Sequence, residues 1–142
     1  MTLVVLDASV IVKWMLPGRP GEADVAAAMA LFDALRGRRV EVVQPVHWLA
    51  EVAAVLGRVS PDTAREDVRD LFALELPVAA DADVYDAAVE LACALPHHLF
   101  DTLYHGVALA TPDAVLVTAD EAYYAKARGR GAIVRLRDYR VG

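Results

Sequence analysis

Leu3 to Leu6 is an unbroken apolar run that ends on an acid, Asp7. The chain then passes through Ala8 and Ser9 into a second apolar stretch at Val10. The first run is short and rich in Val and Leu, which predicts a β-strand over Thr2 to Asp7. It lacks polar alternation, as expected of a strand buried on both faces of a parallel sheet. Ser9 to Met15 follows directly as a short helix. A strand that turns at once into a helix leaves Asp7 at the carboxyl end of the sheet, where open α/β folds bind their ligands.

The rest of the chain repeats this alternation. Leu16 to Gly21 is a Pro- and Gly-rich break, and Glu22 to Leu35 reads as a helix closed by Arg36-Gly37-Arg38-Arg39. Val40 to Val43 is the second strand. Gln44-Pro45 opens the next helix, which is expected to run to Leu56 and stop at Gly57. Ser60-Pro61-Asp62 opens another helix, ending near Leu74. Glu75 to Ala79 reads as a short strand around Leu76 and Val78, Asp81 to Ala94 as a helix, and Phe100 to Ala110 as a further one. Ala114 to Thr118 is a strand, Asp120 to Arg128 a helix and Ala132 to Leu136 the last strand. Alternating strands and helices predict an α/β fold with a mostly parallel sheet of about five strands, in one domain over residues 1–142.

Composition narrows the function classes. With 57% hydrophobic residues the chain is too apolar to be disordered. Its net charge of −6 argues against holding nucleic acid by bulk attraction, though not against a nuclease that carries positive charge on metal ions. The single Cys93 has no intrachain partner for a disulfide, which fits a reducing compartment. No basic leader or membrane-length apolar segment is visible, so a soluble cytoplasmic protein is expected.

Four of the twenty acids are not placed like surface acids. Asp7 ends the first strand. Glu51 is the only acid in an otherwise apolar helix, between Ala50 and Val52. Asp101 follows Leu99-Phe100 at a helix start, and Asp120 follows the strand Ala114 to Thr118. Right-handed crossovers bring Asp7 and Asp120 to the same sheet edge. Taken singly, Asp101 and Asp120 also suit a helix N-cap, and a lone Glu in an apolar helix suits a salt bridge at its rim. Jointly they form a cluster whose members raise one another's pKa unless a cation offsets the charge. Oxygen-only donors suit hard ions such as Mg²⁺ or Mn²⁺.

Val5-Leu6-Asp7-Ala8-Ser9-Val10, Glu51 after the second strand, Phe100-Asp101-Thr102-Leu103-Tyr104 and Leu116-Val117-Thr118-Ala119-Asp120-Glu121 together resemble the PIN-domain ribonucleases. The likeness is greatest to VapC-type toxins of toxin–antitoxin systems and spans nearly the whole chain. It implies a PIN-like three-layer fold with strand order 3-2-1-4-5 and the first strand central. It places an acidic quartet on Asp7, Glu51, Asp101 and Asp120 as catalytic residues and ligands of one or two Mg²⁺ or Mn²⁺ ions. It adds the hydroxyls of Ser9 and Thr118, which can orient a carboxylate or water or simply cap the adjacent helices. The reaction implied is hydrolysis of RNA phosphodiester bonds to 5′-phosphate and 3′-hydroxyl ends. The partners implied are an RNA substrate, a small antitoxin protein and a second copy of the chain. The alternative is a non-catalytic RNA- or protein-binding module on the same fold. A phosphotransfer receiver would need paired acids after the first strand and a late Lys. A dehalogenase-type phosphatase would need Asp-x-Asp where Ser9 stands.

Among the other polar and aromatic residues, His97-His98 lacks the spacing of a zinc pair. His105, four residues after Asp101, reads as a packed side chain sooner than part of the site. Trp14, Trp48 and Cys93 read as core residues. Lys13, Arg19, Lys126, Arg128 and Arg130 are candidates for contact with an RNA backbone.

Overall fold

The computed structural model describes residues 2–142; Met1 lies outside the described residues. Its elements, in order, are β1 (Thr2–Leu6), α1 (Ala8–Met15), α2 (Val25–Arg36), β2 (Val40–Val42), α3 (Trp48–Val59), α4 (Ala64–Phe72), α5 (Ala82–Ala94), α6 (Leu99–Ala110), β3 (Ala114–Thr118), α7 (Glu121–Ala127) and β4 (Ile133–Arg135). The strands form a parallel sheet in the order β2-β1-β3-β4. β1 is therefore interior, with Val4 on Val42 to one side and Leu6 on Val117 to the other. Val4, Val5, Leu6, Leu116 and Val117 are buried, as continuous apolar strands covered on both faces must be.

The expected fifth strand at Glu75 to Ala79 is reduced to one parallel bridge, Gln44 to Val78. It stands beyond β2, so the order 3-2-1-4-5 survives in position while the sheet has four strands. Only Gln44 N–H to the Pro77 carbonyl (2.9 Å) and Ala79 N–H to the Gln44 carbonyl (3.0 Å) join the segment to the sheet side. The same bridge keeps Gln44 extended, so α3 starts at Trp48 rather than at Pro45. α3 also continues through Gly57 to Val59: Gly lowers helix propensity but does not forbid a helix. Glu22 to Asp24 stay outside α2 because Asp24 takes a left-handed conformation, φ 58°. Ser60 to Thr63 form a turn before α4.

α6 packs on β1 and β3, and α5 lies against α6. Thr102 to Ala108 are buried without interruption, the signature of a helix enclosed on all sides. Thr102 Oγ1 donates to the Ala88 carbonyl at 2.9 Å, tying the two helices together. Gly106 permits their close approach: a Cβ there would lie 2.8 Å from the Val84 carbonyl oxygen and 3.0 Å from the Ala88 nitrogen. Both are backbone atoms that no rotamer change can move. Gly106→Ala is therefore expected to destabilise the fold by about 1–3 kcal/mol, although Ala is the better helix former by ~1 kcal/mol. Urea unfolding checks this; a stability gain would show that the helix contact is loose.

Candidate metal-dependent active site

Each of the four acids arrives by a different segment. Asp7 follows β1 and caps α1, accepting from Ser9 N–H at 3.1 Å. Asp120 follows β3 and caps α7, accepting from Tyr123 N–H at 3.0 Å. Glu51 and Asp101 lie in the first turns of α3 and α6. Because β1 and β3 are parallel neighbours, Asp7 and Asp120 leave the same sheet edge, and Asp7 N–H donates to the Val117 carbonyl at 3.1 Å. All four acids line one pocket of about 390 Å³, together with Ser9, Lys13, Arg19 and Glu22.

The N-cap reading holds for Asp120 but not for Asp101, which lies in the first turn of α6 behind the N-cap His98; Asp7 also caps a helix, and both capping aspartates line the pocket. The Ser9 hydroxyl donates to Asp7 Oδ2 and accepts from Ala119 N–H at 3.1 Å. One hydroxyl thus links the ends of β1 and β3. Thr118 Oγ1 is buried and accepts from Asp120 N–H at 3.0 Å. It shapes the turn that carries Asp120 and lies outside the pocket lining.

Two histidines brace the remaining acids. His97 Nε2 lies 2.8 Å from Asp101 Oδ2, and Lys126 Nζ lies 3.2 Å from His97 Nδ1. An ammonium can only donate, so Nδ1 accepts and the Nε2–H donates to Asp101. His47 Nε2 lies 2.6 Å from the Phe100 carbonyl oxygen and 3.2 Å from Glu51 Oε2. Sequence reasoning missed both roles. For both a signal existed: His97 and Asp101, like His47 and Glu51, stand four residues apart, a spacing that brings side chains together on consecutive turns.

Burial pushes the Asp7 carboxyl up to about 6, against the lowering effect of its Ser9 hydrogen bonds and with the charges of Glu51 and Asp101 adding to the rise. The Tyr104 hydroxyl is raised by burial and then by the charges of Glu51, Asp7 and Asp101. Tyr104 is fully buried, and neither its hydroxyl nor His47 Nδ1 has a hydrogen-bond partner among the described residues. Their rings stand 5.0 Å apart, so both unpartnered atoms belong to the wall between α3 and α6 beside the acids.

The other candidates separate clearly. His105 is buried, with Nε2–H donating to the Gly131 carbonyl at 2.7 Å and Nδ1 accepting from the Tyr123 hydroxyl at 2.9 Å; burial lowers its pKa. Trp14 and Trp48 are buried, whereas Cys93 is exposed on α5 and is not a core residue. Lys13 is buried in an ion pair with Glu22 at 2.6 Å, and Arg19 pairs with Glu22 at 3.5 Å. Arg130 pairs with Glu90, and the Arg128 guanidinium lies over the Tyr124 ring. Lys126 alone of these cations adjoins the brace of a pocket acid.

The PIN-domain family model matches residues 4–129. The chain belongs to the PIN-domain family. No curated protein matches it significantly. PIN domains are in general metal-dependent nucleases, so the family implies a nucleic-acid substrate and hydrolytic chemistry. The donor set of this PIN domain suits a hard divalent ion, since Asp7, Glu51, Asp101 and Asp120 offer oxygen alone to the pocket. Among the described residues, no three His, Cys, Asp or Glu side chains converge as a formed metal cage. The acids share a pocket; Asp7, Asp101 and Asp120 are each hydrogen-bonded to a protein neighbour, and Glu51 lies beside His47. Among the described residues no helix is long and apolar enough to cross a membrane.

Proposed function

We propose that this PIN domain, spanning residues 1–142 as a single domain, is a Mg²⁺- or Mn²⁺-dependent endoribonuclease. It acts in the cytoplasm as the toxin of a type II toxin–antitoxin pair, as a homodimer in the cell. The observation that carries the nuclease reading is the convergence of four carboxylates from four segments on one pocket, with Asp7 raised by burial and by Glu51 and Asp101. Such a cluster is electrostatically costly by itself, and a cation removes the cost. The toxin reading rests on the likeness of the acidic motifs, which spans nearly the whole chain.

Asp7, Glu51, Asp101 and Asp120 would hold one or two ions. A bound divalent ion there supplies positive charge at the scissile phosphate and acidifies water. The chain's own contribution is orientation. Ser9 holds Asp7 against the end of β3, His97 holds Asp101, His47 adjoins Glu51, and the Tyr123 N–H fixes Asp120. Thr118 acts on Asp120 through its backbone.

Cleavage-site mapping on total cellular RNA with Mn²⁺ tests the reading. Wild type is expected to leave discrete 5′-phosphate ends that vanish in Asp7→Ala with the fold intact. A wild type inert on every RNA pool with either metal overturns it; RNA binding without cleavage would mark a binding module. Expression of wild type should arrest growth, with relief by a co-expressed small protein encoded next to it.

A further inference from the structure

We propose that the shallow pocket beside the acids is a stacking site for one unpaired base of the substrate strand, with the Phe100 ring as its platform. The inference rests on the nuclease reading and adds one subsite to it: a surface for the base next to the cleaved bond.

Phe100 immediately precedes Asp101 in the first turn of α6, and 63% of its surface is exposed. Leaving a phenyl ring in water forgoes the stabilisation its burial would bring. The backbone beneath the ring is nevertheless anchored, and the ring has an aromatic neighbour. The Phe100 carbonyl lies 2.6 Å from His47 Nε2, and the two rings stand 5.5 Å apart at 43°. Together with Ala50 and Glu51 they line a pocket of about 290 Å³. Glu51 also lines the acidic pocket, so the two spaces adjoin on either side of one side chain.

That adjacency selects the occupant. A phosphodiester at the carboxylates carries a base on each neighbouring sugar, within a nucleotide's length of the reacting bond. A flat aromatic wall with the small Ala50 beside it suits a planar ring, and every base offers a π-face to such a wall. A base inside a duplex has its faces covered by its neighbours and cannot lie on Phe100 without being extruded. Phe100 is the stacking surface of this space, and His47 and Glu51 are the polar side chains that line it.

Binding without cleavage separates this proposal from the reaction. In an Asp7→Asn background, anisotropy of a fluorescein-labelled, mixed-sequence single-stranded oligoribonucleotide is compared for Phe100, Phe100→Ala and Phe100→Trp. Phe100→Ala is expected to weaken binding about 5- to 150-fold, and Phe100→Trp to retain it. The dependence of log K on log salt should keep its slope, because no phosphate contact is removed. Binding of the same sequence as a duplex should be unchanged. Equal single-strand affinity for Phe100 and Phe100→Ala overturns the platform and leaves the nuclease reading standing. So does a shift in oligomeric state by light scattering with RNA binding unchanged, which would make this face a protein interface. If the wild type neither cleaves nor binds RNA, the nuclease reading falls and takes the platform with it.

Discussion

Asp7→Asn is expected to reduce metal-dependent cleavage by on the order of a thousandfold or more and, in EDTA at pH 8, to make the protein more stable than wild type. The two effects share a cause. Folding places the Asp7 carboxyl where burial, Glu51 and Asp101 raise it from 3.8 to about 6. The folded state therefore binds the Asp7 proton more tightly than the unfolded chain. Stability is full below pH 4, falls as pH rises through the interval from 3.8 to about 6, and is level above it. The loss amounts to at most ~3 kcal/mol, with solvent at the pocket mouth reducing it. Asn keeps an acceptor for the Ser9 N–H but carries no charge. Its advantage should be largest at pH 8 and shrink toward pH 4 in urea unfolding. Adding Mg²⁺ or Mn²⁺ should raise the melting temperature of wild type more than that of Asp7→Asn. A variant less stable than wild type at pH 8 in EDTA would contradict the electrostatic account.

Gln44→Leu should cost about 2–5 kcal/mol, an effect centred on the strand that carries Asp7. Gln44 is fully buried, and its amide works as a piece of strand backbone. Oε1 accepts from Leu6 N–H at 2.8 Å, and Nε2 donates to the Leu6 carbonyl at 2.9 Å. β2 pairs with β1 only as far as Val42 on Val4, so Leu6 has no strand partner on that side. Leu at 44 fits the volume but leaves a donor and an acceptor of Leu6 without their Gln44 partners in a dry interior. The thermal unfolding midpoint is expected to fall by roughly 4–20 °C, at ~2–4 °C per kcal/mol for a chain of this size. Nuclease activity should fall more steeply than stability, since Leu6 positions Asp7. A change below about 1 kcal/mol would mean that water or a rearranged backbone replaces the amide.

Gln44 also shows why part of this molecule was illegible from sequence. Before Pro45 it reads as turn chemistry, because nothing local reveals that β2 ends two residues too early to satisfy Leu6. The bridge at Val78 has the same character. Leu76 and Val78 have strand-like composition, but pairing needs a neighbour in register, and only Gln44 supplies one. Cys93 misleads in the other direction: residue type favours burial, yet its position on α5 faces away from α6 and the core. His97 and His47 each stand four residues before their acid, a local signal that sequence reasoning passed over, whereas their second partners, Lys126 and the Phe100 carbonyl, are brought in only by the approach of separate segments.

Local sequence sets the alternation of strands and helices, the burial of the Thr2–Leu6 strand, the acids Asp7 and Asp120 after strands, and the acids Glu51 and Asp101 in apolar helices. These are local facts: apolar runs fix strands, and an acid directly after a buried strand has the sheet edge as its place. The central place of the first strand came only from the family resemblance. The tertiary structure decided what those acids face. Parallel pairing of β1 and β3 set Asp7 beside Asp120, and the docking of α6 on both strands brought in Asp101. Ser9 became a link between two strands because its hydroxyl meets both Asp7 and the Ala119 amide. Phe100, an ordinary apolar residue in the sequence, stands exposed beside the pocket because α6 enters the core one turn later. Long-range packing makes these assignments, since hydrogen bonds and charge interactions act over a few ångströms whatever the separation along the chain.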